Sequence, residues 1–566
     1  MLLRRITIEN FRGITKLAFE LDRTTVLVGE NNSGKTTVLE AINLCLARQQ
    51  NRRVPPFEEY DYHLSGSASD PRTAPPISIQ LDFEEEKADE WPDAVVQALD
   101  KALQVMASGL QCVRLRVSGS YDATLKEFVY SWDFLDLAGK ALPRNPRLLG
   151  ELQHLCPVFY LRAVRDAAQQ FQGKAQFWPH FTRNLQLDDA KREELEQQIE
   201  EINQSVLDAH KPFDEIKSRI AKAAALVPLG QTDNVAIEAL PARVFDMLSR
   251  TQVKMAATTG ARLPVGQHGA GTQSLAVLFL FEAFLNAKLA EAFTAESEPI
   301  LALEEPEAHL HPSAVRALWG TLDGLKGQKV LATHSGDLLS VVPLPCIRRL
   351  ARKGGVVQAF RVNPGTLSKD DERKIGYHIR AKRGALFFAR CWLLVEGESE
   401  YWFLPEAAHL TGKDFESNGV ACLEFSQCGL EPFAKLANEL GIEWHVLVDG
   451  DAEGAKYEKT ATGLIGAALK EDRITRLTKD FEHTLWDHGY DHVYESSVGR
   501  PQQRAMIKSA EGDPDYPREV IKAALSGVGK PALSVAVVEA MSSPGSPGVP
   551  PEIAVVINKV HELVRR

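Results

Sequence analysis

The sequence predicts an α/β protein of more than one domain, and three observations carry that prediction. Apolar runs that stop in a glycine-bearing turn and continue as a helical segment recur along the chain, at VLVGENNSGKT (26–36), LLVEGESEYWFL (393–404) and HVLVDGDAEG (445–454). A chain of 566 residues is too long for one hydrophobic core. Its composition, 44% hydrophobic and 25% charged, is that of an ordinary globular protein.

Composition also narrows the function. No run of 18 or more apolar residues occurs, so a transmembrane helix and a membrane partner are not expected. The opening MLLRRITIENFRGI alternates like a strand and lacks the apolar stretch and cleavage site of a signal peptide, which predicts a cytoplasmic protein. Seven cysteines are scattered with no CxxC pair, as expected for reduced thiols with neither a disulfide framework nor a zinc site. A formal net charge of −11 argues against blanket binding of polyanions. Nucleic acid would have to be held by local basic patches or through metal ions.

Taken in order, residues 4–9 and 24–28 read as strands, and SGKTTVLEAINLCLA as a helix. Residues 50–76, rich in Pro, Ser, Asp and Arg, read as a loop, followed by strands at ISIQLDF and CVRLRVSGS. From 187 to about 224 a charged segment carries Leu195, Ile199, Ile202, Val206 and Leu207 at spacings that make one apolar stripe. It fits a surface helix or an arm that pairs with another subunit. PILALEE (299–305) and KVLATHS (329–335) restore the strand–helix pattern, and a new series begins at CWLLVEG, after a basic stretch. The main boundary is placed near residue 380.

The stretch Gly29-Glu30-Asn31-Asn32-Ser33-Gly34-Lys35-Thr36 satisfies GxxxxGK[ST] between a predicted strand and a predicted helix. Glycines let backbone N–H groups converge on phosphate oxygens at the positive end of a helix. Asn31, Asn32, Ser33, Gly34 and Thr37 would line the cradle, Lys35 would reach the β/γ-phosphates and Thr36 would ligate Mg²⁺. Glu304 and Glu305 end a hydrophobic strand: one carboxylate can hold Mg²⁺ while its neighbour orients or deprotonates the attacking water. His334 ends the next strand, where it can sense the γ-phosphate. His309 and His311 lack a third ligand nearby and read as hydrogen-bonded loop residues.

The second constellation is carboxylate. Glu396 ends LLVEG and Glu400 follows on the first turn of a helix, while Asp449 and Asp451 end VLVDGD on one side of an extended segment. Acids at the C-terminal ends of parallel strands sit at the usual ligand edge of such a sheet. Four converging carboxylates repel unless some stay protonated or divalent cations intervene, and Mg²⁺ or Mn²⁺ prefers such oxygen ligands. Two ions so held suit phosphodiester hydrolysis. Singly, each motif also fits a solvated turn.

ITIENFRGI, the phosphate loop, HGAGTQS (268–274), LALEEPEAHLHP and THS occur in one order that resembles the ABC-type ATPases of the SMC and DNA-repair branch. The resemblance implies that Gly269, Gly271 and Gln273 face ATP bound to the other subunit of a head-to-head dimer. The signature departs from LSGGQ, Glu304 stands where most relatives carry Asp, and Gln80 is a guess for the Q-loop glutamine. The paired acids resemble a Toprim domain, and the two motif sets together resemble the OLD-family ATP-dependent endonucleases. That resemblance implies ATPase parts at 1–165 and 236–380, a helical dimerisation insertion at 166–235, and a C-terminal Toprim domain, a parallel sheet flanked by helices, at 381–566. It further implies Glu482 (in TKDFEHTLW, after Asp480) as the last metal ligand and Lys530 as a basic residue assisting catalysis.

The expectation is an ATP-binding, metal-dependent DNA endonuclease or nickase, a homodimer or higher oligomer through its ATPase domain. Within the family, anti-phage defence and a helicase or reverse-transcriptase partner are implied. Arg373, Lys374, Arg380, Lys382, Arg383 and Arg390 offer a DNA contact or simply a solvated face. The rival from another class is an SMC-like ATP-driven clamp whose Toprim domain binds nucleic acid without cutting. A topoisomerase or primase is weaker, because neither an active-site tyrosine context nor a zinc module is evident.

Overall fold

The computed structural model describes residues 1–47, 56–66, 69–162, 188–209, 212, 253–256, 260–381 and 384–565. An antiparallel sheet is built from β1 (Leu2–Phe11), β2 (Ile14–Glu20), β4 (Ile77–Glu84), β5 (Leu103–Val105), β6 (Gln111–Asp122) and β7 (Glu127–Leu135), in the order β2-β1-β4-β6-β5 with β7 on β6. Alternation puts Val113, Leu115 and Val117 of β6 inside, on the face that joins the core. Its inner face packs with Val38, Leu39 and Ile42 of the helix Lys35–Leu46.

The second sheet runs β14-β13-β3-β12-β11-β8, from β3 (Thr24–Val28), β8 (Val158–Leu161), β11 (Ile300–Glu304), β12 (Gln328–Ala332), β13 (Ile347–Lys353) and β14 (Val356–Phe360). All but β14 pair in parallel. Covered on both faces, such strands read as continuous apolar runs, and Ile300 to Leu303 are at most 1% exposed. Because β3 lies between β12 and β13, the phosphate loop leaving β3 stands beside the end of β12, with β11 one strand further. A short hairpin, β9 (Lys254–Ala256) with β10 (Arg262–Pro264), precedes the helix Ala270–Ala287. That helix is long and apolar enough to cross a membrane, but its Val277, Phe281 and Phe284 are fully buried in the protein core.

A third sheet of four parallel strands, β16-β15-β17-β18, comprises β15 (Cys391–Val395), β16 (Val420–Glu424), β17 (Glu443–Val448) and β18 (Ile474–Arg476). Trp392 and Trp444 at its centre are at most 1% exposed. One hydrophobic cluster runs without a break from Val26, Leu303 and Leu331 of the second sheet to Trp392, Leu394 and Trp444 of the third. Residues Ile375, Ile379 and Phe387 fill the space between them.

Several expectations meet the structure directly. All seven cysteines are free. The helix expected from Ser33 starts at Lys35, since the loop is still turning at Gly34, with φ 99°. The basic stretch begins inside a helix, Lys369–Ala381. Of the arm, Asp189–Ala209 is a helix with Ile199 buried and Ile202 and Val206 exposed, and most of 210–224 lies outside the described residues.

Candidate functional site

At the end of β3 the chain turns at Gly29, where φ is 148° and a Cβ would lie 2.2 Å from the carbonyl oxygen of Leu350, so only glycine fits. The helix Lys35–Leu46 has no side-chain cap and no acid in its first turn, which leaves its N–H groups for an anion. Lys35 Nζ donates to the carbonyls of Gly29 and Glu30, 2.8 Å from each. Burial pushes this ammonium down to about 8, against the opposing pull of Glu305, Glu30 and Glu304.

Asn31 to Thr37, Gly13, His334 and Arg352 line a cleft of about 620 Å³. Glu304 takes a hydrogen bond from the Thr36 hydroxyl on one oxygen and from Tyr160 Oη, at 3.0 Å, on the other. Glu305 holds a left-handed backbone (φ 46°), and its N–H donates to the carbonyl of Ala332 at 2.8 Å. Burial, aided by Lys35, lowers the His334 pKa, so the ring is neutral at pH 7. The cradle, the uncapped helix and a hydroxyl–carboxylate pair form a donor set that fits a magnesium-bound nucleotide.

The signature residues stand elsewhere. Gly269 caps the helix Ala270–Ala287, and Gln273 Nε2 donates to the carbonyl of His268 at 2.7 Å. A Cβ on Gly271 would meet the His309 carbonyl oxygen at 2.8 Å, so the loop lies close over the turn that follows Glu305. None of the three lines the cleft around Lys35. Gln80, the guess for the Q-loop, lies in β4 with Nε2 on Asp82, 2.8 Å away, and is likewise outside that lining. His311 caps the helix Pro312–Gly324 by accepting from the Ser313 N–H.

The carboxylates gather at the C-terminal edge of the third sheet. Glu396 follows β15 and accepts from the Asp449 N–H, which follows β17, at 2.8 Å. Glu400 is 4% exposed on the first turn of the helix Glu398–Leu410, where burial raises its pKa to about 7. Asp449 is pushed up to about 8, by burial first and then by the fields of Glu400, Glu396, Glu482 and Asp480. Glu482 accepts from Ser399 Oγ at 2.6 Å and stands 3.9 Å from Lys530 Nζ. Lys530 opens the helix Lys530–Met541, whose first turn thus aims a cation at the acids.

Asp451 behaves differently from its neighbours. Its Oδ1 accepts from the Gly454 N–H at 2.8 Å and caps the helix Ala452–Ile465, although its charge still contributes to raising the Glu396 pKa. Among the described residues, no three His, Cys, Asp or Glu side chains stand close enough together to hold one ion as placed. The chemistry of the donor set nevertheless fits a hard divalent cation, because buried carboxylates that raise one another's pKa values favour a cation among them.

Three of the six basic residues are ion-paired, and Arg380 donates to the carbonyl of Gly376 at 3.1 Å. Arg373 and Lys374 both pair with Asp370 at 2.8 Å, and Arg390 forms a two-point ion pair with Glu30. Lys382 and Arg383 lie outside the described residues. Sequence reasoning missed Tyr160, Arg352 and Ser399. A tyrosine in PVFYL or an arginine in a strand carries no signal that separates a site residue from an ordinary one.

The family described as "Protein of unknown function (DUF2813)" matches residues 1–385, and that described as "Overcoming lysogenization defect protein-like, TOPRIM domain" matches residues 387–451. The chain is 28% identical over 568 residues to "Uncharacterized protein YbjD" of Escherichia coli (strain K12), covering 100% of this chain and 99% of that one. It is 25% identical over 483 residues to the "OLD nuclease" of Thermus scotoductus, covering 80% and 82% of the two chains. To "Endonuclease GajA" of Bacillus cereus it is 22% identical over 496 residues, covering 85% and 81%. The chain thus belongs to the DUF2813 family and carries an OLD-like Toprim domain at residues 387–451.

Proposed function

We propose that this protein is an ATP-binding, divalent-metal-dependent DNA endonuclease or nickase, in which the ATPase-like part gates cleavage by the Toprim domain. One observation carries the proposal: Glu396, Glu400, Asp449 and Glu482 share one sheet edge, two of them with pKa values raised to about 7 and about 8, and Lys530 stands beside them. Two curated relatives along most of the chain are a nuclease and an endonuclease by name. DNA is a substrate consistent with those names, and a role against phage belongs to the same reading.

In this reading Glu396, Glu400, Asp449 and Glu482 would hold Mg²⁺ or Mn²⁺, with Asp451 joining once released from its cap. Bound there, the metal would supply an activated water and charge neutralisation for the leaving oxygen. Lys530 adds positive charge where the attacked phosphate gains negative charge. At the other site, Lys35 and the loop amides bind the phosphates, while Thr36 and Glu304, oriented by Tyr160, would hold Mg²⁺. Glu305 orients the hydrolytic water, and neutral His334 contacts the terminal phosphate. Gly269, Gly271 and Gln273 lie outside the lining of their own cleft, and in this reading they complete the site of a second copy in a homodimer.

Supercoiled plasmid incubated with the protein and Mg²⁺ or Mn²⁺ should be nicked or linearised, and Asp449→Ala should stop it. Intact plasmid with the parent protein would sink the proposal. It would favour instead a non-cleaving, ATP-driven DNA clamp, the reading to which the capped Asp451 and the spread of the acids lend support.

A further inference from the structure

The connector between the two sheets, residues 384–390, touches two groups of the nucleotide site, His334 of the cleft lining and Glu30 of the phosphate loop. Phe388 lies parallel to the His334 ring, with centroids 6.3 Å apart and planes 9° from parallel. Two residues on, Arg390 grips the Glu30 carboxylate through Nε and Nη2, the latter at 2.9 Å. Glu30 is the second residue of the phosphate loop, and its backbone carbonyl is one of two that hold Lys35 Nζ. Lys35 Nζ carries three N–H donors and spends two on these carbonyls, so Glu30 is tied directly to the group that would meet phosphate.

Arg390 is equally tied on the far side. Its N–H donates to the Gly419 carbonyl at 2.8 Å, before β16, and its carbonyl accepts from the Glu443 N–H at 3.0 Å, where β17 begins. β15 starts at the next residue and ends immediately before Glu396. A hydrogen-bonded strand of this length spans roughly 17 Å and is stiff along its axis. Lys353, at the end of β13, pairs with Glu443 at 2.7 Å, and buried Arg349 of β13 donates to the carbonyls of Phe387, Ala389, Leu440 and Gly441. Ion pairs and backbone hydrogen bonds thus link phosphate loop, connector and acid-bearing strand along a packed core.

We propose that Arg390 is a positioning residue of the nucleotide site, acting through Glu30, and that this pair with Phe388–His334 carries nucleotide occupancy to the strand that bears Glu396. The inference rests on the ATP-binding function proposed above and names how the two sites communicate. It reassigns Arg390 from DNA contact to an internal latch.

The test uses the full chain and a fluorescent ATP analogue, followed by hydrogen exchange with ATP. Arg390→Ala and Glu30→Ala should each weaken binding about 3- to 10-fold, the range for a half-exposed but bidentate pair. The charge-exchanged double variant Glu30→Arg/Arg390→Glu should recover most of that loss, a result that a misfolded protein would not give. ATP should slow exchange in both the phosphate loop and residues 385–396 of the parent, but only in the loop of Arg390→Ala. Parent-like binding by Arg390→Ala, no recovery in the double variant, or unchanged protection of 385–396 would overturn the proposal alone. Absence of any binding by the parent would remove the nucleotide site, and this proposal with it.

Discussion

The Asp449 N–H donates to Glu396 Oε1 across 2.8 Å, tying the tip of β17 to the tip of β15. Two acids so joined cannot drift apart, even though both carboxylates disfavour ionisation there. Replacing either should therefore disable the site without disturbing the distant ATP cleft. Glu396→Gln and Asp449→Asn are each expected to lower plasmid nicking by about 100-fold or more, in line with loss of a metal-site carboxylate. ATP hydrolysis should persist, and full nicking by either variant would refute the assignment.

The raised pKa values of Asp449 and its neighbour Glu400 set a pH dependence. Asp449 and Glu400 bind protons more tightly in the folded chain, at about 8 and about 7, than in the unfolded one, near 4. Their contribution to stability is complete below about pH 4 and is lost as pH rises through 7 and 8. In EDTA the melting temperature should accordingly fall between pH 6 and pH 9, with a shallower fall in Asp449→Asn. Mg²⁺ should raise it more at pH 8 than at pH 6, with protons released to the buffer. A metal-free melting temperature with the same pH profile in both proteins would contradict this.

Lys35 gives the opposite sign at the other site. With its pKa lowered to about 8 when no phosphate is bound, it must take up a proton to bind ATP above that pH. Affinity for ATP should weaken as pH rises from 8 to 9.5, approaching tenfold per unit. Lys35→Ala should bind ATP poorly with no such slope and abolish turnover while leaving some metal-dependent cutting. Normal hydrolysis by that variant would show that the loop is no phosphate cradle.

Much of this was legible because strand ends and glycines have few alternatives. VLVGENNSGKT announces its loop: a Cβ at position 29 has no room, and Lys35 must close the turn. Both acid pairs announce a sheet edge through the apolar runs before them. Asp451 was not separable from Asp449 by pattern, since two residues on the same side can serve a ligand or a helix cap equally well. Nor could the pairing of Arg390 with Glu30 be seen, 360 positions apart in the chain. Local charge counting put that arginine in a basic patch, and only the order of strands brings it to the phosphate loop.

Arg349 provides the last expectation. It is 4% exposed, feels the charges of Glu30 and Glu443 without an ion pair among the described residues, and is held by four backbone carbonyls from two segments of the C-terminal half. Burial lowers its pKa to about 10, yet it remains charged at pH 7. Arg349→Ala would leave those carbonyls without their donor in a dry interface, a loss of about 2–4 kcal/mol. Lysine at this position should recover little, because an ammonium cannot span the carbonyls that a planar fork reaches. In urea denaturation both variants should unfold earlier than the parent, with the two halves separating into distinct transitions. A single transition at the parent midpoint would mean that this buried cation does not hold the halves together.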